Sequence, residues 1–377
     1  MTLQSQPEPG ISAFLSGRIA AGDFPSAVYL VSERGRVCFA EALGNAVLEP
    51  YRISAALDTL YDLASLTKPL VTGLLFVRRI ELGEITLDSS VSHYLPEFER
   101  ADKHSITIRQ LLTHSSGLPA WRPLYILAEG ERERAIGVIA NGDLEYQPGT
   151  RVIYSDLGFI TLGFLLERIT GKLLAEIAHE EIIESLNLKH TFFNPEVAMQ
   201  TGVAACETGN VYEQEMSGET GQAFGGWRQG VIWGQVHDGN AHFLGGAAGH
   251  AGLFSTAQET SRIAEQFVAG QSEMFRPETC ELFKKNMTTG LDEARTIAWK
   301  LAMTTASEVG PGLPLNSYGH SGFTGTSCWI DPNHERIFIL LTNRTHAHPL
   351  PFININNVRR EFHHLAVSAL ESLSSSC

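Results

Sequence analysis

Residues 11 to 19 place Ile11, Phe14, Leu15 and Ile19 on one helical face, so the chain opens on an amphipathic helix. Two β-rich runs follow, SAVYLVS and RVCFAEALG, on either side of Glu33-Arg34-Gly35, a pattern that predicts a hairpin. Positions 70 to 82 are apolar nearly all round, as in a buried helix. From about 106 to 290 helical patterns dominate. TIRQLLT is short, and the apolar helix 157–171 closes on Gly171. LLAEIAHEEIIESL follows, and Thr256 to Glu259 matches a capping box. The stretch 201–252 is Gly-rich, aromatic and aperiodic, and reads as a long ordered loop region. Strand patterns return in WKLAMT, TSCWID and RIFILLTN, before a last helix over about 354–373.

Strands at both ends and helices in the middle imply an α/β plus all-α organisation. Residues 1–60 and 291–377 would form one α/β lobe, and 61–290 a mainly helical inserted lobe. The cleft between them is the expected site.

Composition narrows the classes. With 377 residues and 43% hydrophobic side chains, a large core is available and disorder is excluded. A net charge of −14 argues against nucleic-acid binding, which needs a basic surface. Apolar stretches such as PLVTGLLFV are cut by charges well short of the ~20 residues a bilayer span needs, so no membrane association is expected. Five scattered cysteines (38, 206, 280, 328, 377) without a C-x-x-C favour reduced thiols. MTLQSQPEPG lacks the basic start and apolar core of a signal peptide. Together these point to the cytoplasm. Oligomeric state is not legible.

Against this background DLASLTKPL, residues 62–70, carries candidate chemistry. Ser65 and Lys68 lie three apart, so on a helix they share a face and can touch. Lysine accepts a proton only if burial or neighbouring positive charge lowers its pKa. Pro69 lacks an N–H and clashes with the carbonyl four residues back, that of Ser65, so the regular helix is expected to begin near Ser65 with the serine at its tip. There, backbone N–H groups point at any oxyanion formed. A chain of this length shows about one S-x-x-K by chance, and a terminal Ser also serves simply as a cap.

Two further stretches bear on the choice. Tyr154-Ser155-Asp156 precedes the helix at 157: Tyr154 could move protons if positive charge lowers its pKa, and Asp156 could cap the helix. In GHSGFTGTSCWID, 319–331, small residues open a strand that another backbone could approach closely, with His320 projecting a titratable ring. The alternative is a Gly-rich turn before an edge strand.

Together these residues resemble the serine β-lactamase and penicillin-binding-protein superfamily, on its class C β-lactamase and DD-peptidase side. Ser65-Leu66-Thr67-Lys68 matches its S-x-x-K, Tyr154-Ser155-Asp156 its Y-x-N, and His320-Ser321-Gly322 its K/H-T/S-G triplet, in the family's order. YDLASLTKPL, LDSSVSHYLPE, ITIRQLLTHSSGLP and GHAGLFSTA look familial too, over roughly residues 10–345. The resemblance implies a β-lactamase/transpeptidase-like fold, an antiparallel sheet flanked by helices with an inserted helical lobe. It implies an acyl-enzyme on Ser65, proton traffic through Lys68 and Tyr154, and an oxyanion hole from the N–H groups of Ser65 and Phe323. His320, Ser321, Gly322 and Phe323 would bind substrate, His320 holding a carboxylate or tuning Tyr154. No metal or organic cofactor is implied, and the partner is a small or peptide-like substrate.

Two departures stand out. Asp156 replaces the usual Asn, and a carboxylate only accepts hydrogen bonds. It could instead pair with Lys68, raising that lysine's pKa and leaving Tyr154 as the base. His320 replaces the lysine of typical class C β-lactamases. Both argue against an efficient β-lactamase. VHDGNAHFLGGAAGHAGLF, HSGFTGTSCWIDP and LLTNR look like relatives associated with cell-wall peptide recycling, which suggests amidase or peptidase action on a muropeptide or another D-amino-acid compound. A carboxylesterase or weak β-lactamase with the same apparatus, and a silent binding protein, are the alternatives.

Other constellations are weaker. His237, Asp238, His242 and His250 fit no zinc spacing and read as a polar loop lining the cleft. Neither G-x-S-x-G nor a P-loop is present. Trp227, Trp233 and Phe243 either wall the substrate pocket or anchor loops, and His114 reads as structural.

Overall fold

The turn expected after Glu33 forms with both Arg34 and Gly35 at positive φ, as a tight two-residue hairpin requires. It joins strand β1 (Ser26–Glu33) to β2 (Arg36–Val47), and β3 (Ile53–Ser54) extends the edge. In the computed structural model, which describes residues 3–304, 309–310 and 312–375, two short ladders come from the middle of the chain: β4 (Tyr61–Asp62), β5 (Phe192–Phe193) and β6 (Leu253–Ser255). The C-terminal part adds β7 (Lys300–Leu301), β8 (Tyr318–Ser321), β9 (Ser327–Asp331) and β10 (Arg336–Thr342).

The main sheet has seven strands in the order β3-β2-β1-β10-β9-β8-β7; a small one runs β4-β6-β5. The pairings that carry the main sheet are antiparallel, including β1 on β10, where Ala27 faces Thr342 and Glu33 faces Arg336. The first and last parts of the chain thus share one sheet.

β1 is buried on both faces, which explains its unbroken apolar run. Val28 and Leu30 point into the larger core, shared with the middle helices; Ala27, Tyr29 and Val31 point into the smaller one. That smaller core is closed by helix α1 (Pro9–Ala20), through Ile11 and Leu15, and by the last helix (Asn356–Ser375), through Phe362 and Ala366.

Several expectations change in detail. The strand read in WKLAMT shrinks to β7. The region 201–252 contains three short helices, Val211–Met216, Gly218–Gln222 and Gly239–Phe243; the last is capped by Asp238, whose carboxylate accepts the Ala241 N–H. Thr256 caps its helix, but Glu259 leaves the box to accept from the backbone N–H groups of Lys189 and His190. Cys38, Cys206, Cys280 and Cys328 are free thiols, and Cys377 lies outside the described residues. Among those residues no helix is long and apolar enough to cross a membrane.

Candidate active site

From Thr59 to Val77 every residue is buried except Ser65. The segment enters on β4, turns through a 3-10 helix at Ala64–Leu66, widens to a π-helix over Lys68–Gly73 and settles into helix α2 (Leu74–Glu81). The regular helix therefore starts later than Pro69 suggested. A proline inside the turn removes a donor, and the wider π turn keeps its ring clear of the Ser65 carbonyl. The turn that carries Ser65 is tight: Ala64 is left-handed, at φ 48°. Asp62 holds it, accepting the Ala64 N–H at 2.8 Å with one oxygen and the His237 N–H at 2.7 Å with the other.

The β8–β9 hairpin is tied to the same turn. Thr324 Oγ1 donates to the Asp62 carbonyl and Thr326 Oγ1 to that of Leu63. A Cβ on Gly322 would lie 2.7 Å from the Leu63 carbonyl oxygen, so only glycine permits this approach. At Gly322 the backbone that comes close is that of the turn carrying Ser65.

Lys68 is fully buried. Its Nζ donates to Ser65 Oγ at 3.0 Å and to the His250 carbonyl at 3.2 Å, pairs with Asp156 Oδ1 at 2.7 Å, and sits 4.8 Å from the Tyr154 ring centre. Asp156 is free to do this because Ser155, not Asp156, caps the following helix α3 (Asp156–Thr170): Ser155 Oγ accepts the Gly158 N–H. The Tyr154 ring packs 4.5 Å from that of His114. His114 Nδ1 accepts the Ser155 N–H at 3.0 Å, so this structural histidine also fixes the tyrosine's backbone.

The electrostatics correct one expectation. Burial works against the Lys68 charge, but Asp156 and then Tyr154 outweigh it and hold the ammonium above the usual lysine range. Burial raises Tyr154 more than Lys68 lowers it, so its phenol also lies above the usual value. The condition set for Tyr154, that nearby positive charge lower its pKa, is not met, because desolvation outweighs Lys68.

His320 is buried and lies 5.7 Å from the Tyr154 ring. Its Nδ1–H donates to the Ser321 carbonyl at 2.9 Å, and Nε2 has no partner among the described residues. Burial, then Lys68 and Arg295, push it well below the ordinary histidine range. A neutral ring whose Nε2 carries a lone pair does not attract a carboxylate by charge, which leaves tuning of Tyr154 as the other role expected of it.

These groups open into a cavity of about 560 Å³, lined by Ser65, Tyr154, Asp156, His237, Asp238 and the segment His320–Phe323. All of the sequence-predicted site residues except buried Lys68 reach it. Phe323 stacks on His237 at 5.4 Å. Of the polar loop read at 237–250, His237 pairs with Glu207 at 2.8 Å and His250 with Asp238 at 2.9 Å, while His242 lines a separate cavity. Among the described residues no cluster of three metal-ligating side chains forms. Trp233 is a core residue; Trp227 and Phe243 line the second cavity.

Sequence reading missed Asp62, Glu213, Arg295 and Lys300. Arg295 and Lys300 both line the cavity and flank Glu293, Lys300 at 3.6 Å. The Arg295 guanidinium lies 5.8 Å from the Tyr154 ring centre. Arg295 sits in an irregular stretch without a periodic signal, and Lys300 lies in β7, within a stretch read only as a strand; Asp62 lay within the stretch quoted for Ser65 and Lys68.

The Beta-lactamase family model matches residues 11–359. The chain belongs to the Beta-lactamase family. It is 30% identical over 365 residues to an Escherichia coli K12 protein carrying the provisional name D-alanyl-D-alanine carboxypeptidase, covering 89% of this chain and 81% of that one. It is 32% identical over 356 residues to the N-acetylmuramyl-L-alanine amidase of Bacillus subtilis 168, covering 87% and 79%. In fold it matches a penicillin-binding protein homologue from Caulobacter crescentus, with a TM-score of 0.73, 19% identity and coverage of 97% and 99%. It also matches EstCE1, a hydrolase with promiscuous acyltransferase activity, at 0.72, 22% identity and 95% and 97%. Like these Beta-lactamase family relatives the chain is a serine-type hydrolase with the β-lactamase/transpeptidase-like fold.

Proposed function

We propose that the protein hydrolyses an amide or peptide bond of a muropeptide or another D-amino-acid-containing substrate through an acyl-enzyme on Ser65. The observation that carries this reading is Lys68 Nζ at 3.0 Å from Ser65 Oγ, on the one residue of the segment 59–77 that is not fully buried, with the Tyr154 ring centre 4.8 Å from the same Nζ. The names of the carboxypeptidase and amidase relatives support the substrate class.

Ser65 Oγ attacks the carbonyl carbon, and its proton passes to Tyr154 in its phenolate form, which Lys68 stabilises. The N–H groups of Ser65 and Phe323 receive the oxyanion. Tyr154 returns the proton to the leaving amine as the C–N bond breaks. Water then attacks the ester, the reverse proton path applies, and the acid and free Ser65 result. Arg295 and Lys300 supply the positive charge for a substrate carboxylate that His320 does not.

One observation favours an esterase as second reading: neutral His320 gives the strand edge no charge preference, so uncharged esters are accepted there. Asp156 cannot donate to a substrate amide carbonyl as Asn does, which makes β-lactam turnover slow.

The test is intact mass after incubation with fluorescent penicillin, with p-nitrophenyl acetate and with a muropeptide panel, wild type beside Ser65→Ala. The expected result is a single acyl adduct, or peptide cleavage, lost in Ser65→Ala. Ester turnover without peptide cleavage selects the esterase. Activity that survives in Ser65→Ala removes the mechanism.

A further inference from the structure

Beside the catalytic cavity lies a second one of about 360 Å³, and Glu213 lines both. Tyr125, Phe224 and Trp227 form its wall. Their ring centres are 5.5 Å apart for Tyr125–Phe224 and Tyr125–Trp227, and 5.1 Å for Phe224–Trp227. Trp227 is fixed by donating Nε1–H to the Gly221 carbonyl at 2.9 Å. None of this enters the chemistry at Ser65.

We propose that this cavity is a subsite for a primary ammonium group, carried by a substrate whose acyl carbon lies at Ser65. Placing it on a substrate rests on the hydrolase reading above; the binding chemistry does not.

The three rings line the cavity while packing on one another edge to face or tilted; a ring face open to the cavity attracts a cation, and desolvation strengthens the attraction. The buried carboxylate completes it. Glu213 is only 5% exposed; its Oε1 accepts the Gly239 N–H at 2.7 Å, while Oε2 has no well-directed hydrogen bond, the nearby Tyr125 hydroxyl being equally poorly placed. A buried carboxylate oxygen without a donor is costly, and an N–H of a bound ammonium would satisfy it. The cation in the lining, Arg228, is already engaged: it donates to the carbonyls of Val236 and His237 and to Asn210 Oδ1. Burial and then Asp238 raise the Glu213 carboxyl to about 7. A cation placed there would relieve both.

Calorimetry decides the binding chemistry. At about pH 8, where Glu213 is ionised and an alkylamine is still charged, n-pentylammonium should bind wild type about tenfold more tightly than 1-pentanol of the same shape. Glu213→Gln should abolish that preference. Equal or tighter binding of the alcohol would identify an apolar pocket and overturn the proposal, as would a preference that persists in Glu213→Gln. Placement is read separately from p-nitrophenyl 6-aminohexanoate against p-nitrophenyl hexanoate. A lower KM for the amino ester, lost in Glu213→Gln, supports a subsite joined to Ser65; equal KM values refute the joining. Turnover of neither ester would count against the hydrolase reading, and calorimetry alone would then decide the ammonium site.

Discussion

At the scale of single residues, the decisive position is Asp156. Its carboxylate keeps Lys68 protonated, which is why the proton acceptor assigned to the attack is Tyr154 rather than the lysine. Both pKa values lie above their ordinary range, so the reactive base form is a minority at neutral pH and the acylation rate should climb with pH into the alkaline range. In Asp156→Asn the opposing burial remains while the charge that outweighed it is gone. The Lys68 pKa then falls, and the rising limb of kcat/KM against pH should move to lower pH. A profile that stays in place would show that Asp156 does not set the proton affinity of the pair. Linkage has the corresponding sign. Lys68 holds its proton more tightly folded than unfolded, so the pair's stabilisation is fully present below the unfolded lysine value of about 10.4 and is lost as pH rises through the higher folded value. Ser65, Lys68 and Tyr154 were legible in sequence because Ser and Lys three apart share a helical face and because the three motifs resemble the family's in their order. The protonation states were not, because they depend on burial and on neighbours far along the chain.

At the scale of elements, the loop before β6 shows how the site is braced. A Cβ on Gly249 would lie 2.0 Å from the Phe159 carbonyl oxygen and 2.9 Å from the Gly163 nitrogen, so this loop packs backbone to backbone against α3. That contact sets two carbonyls on the catalytic segment: Gly249 O accepts from Thr72 Oγ1 at 2.6 Å and His250 O from Lys68 Nζ at 3.2 Å. Gly249→Ala must push the loop away, costing about 1–3 kcal/mol of stability as in other overpacked cores. It should also lower the acylation rate by about tenfold or more through the loosened lysine. Denaturant melts and fluorescent-penicillin labelling rates measure the two separately; a neutral substitution would show that the loop has room the geometry denies. Helices with clear periodicity, such as α1 and α3, follow from the sequence. β4, β5 and β6 do not: strands of two or three residues have no period to read, and they exist only because β6 pairs with β5 about sixty residues away and with β4 nearly two hundred residues away.

For the whole molecule, the sheet joins strands from the two end parts of the chain; α1 and the last helix close its outer core, and the last helix also reaches the cavity through Asn356 and Arg359. Leu15, fully buried there, belongs to the outer core and is not among the residues that line the cavity. Leu15→Ala should cost about 2–5 kcal/mol, read as a lower denaturant midpoint, while penicillin labelling in buffer stays within about twofold of wild type, since a folded population reacts unchanged. A large loss of labelling in protein that remains folded would mean that the outer core shapes the site.

The sequence by itself determined the residue types, their order and the helices, because hydrophobic period and covalent constraints such as Pro69 act within a few positions. Only the tertiary structure decided that Asp156 faces Lys68, that His320 is neutral, and that Arg295, Lys300 and Glu213 belong to the cavities. Desolvation and charge pairing are properties of the space around a group, and that space is assembled from segments distant in the chain.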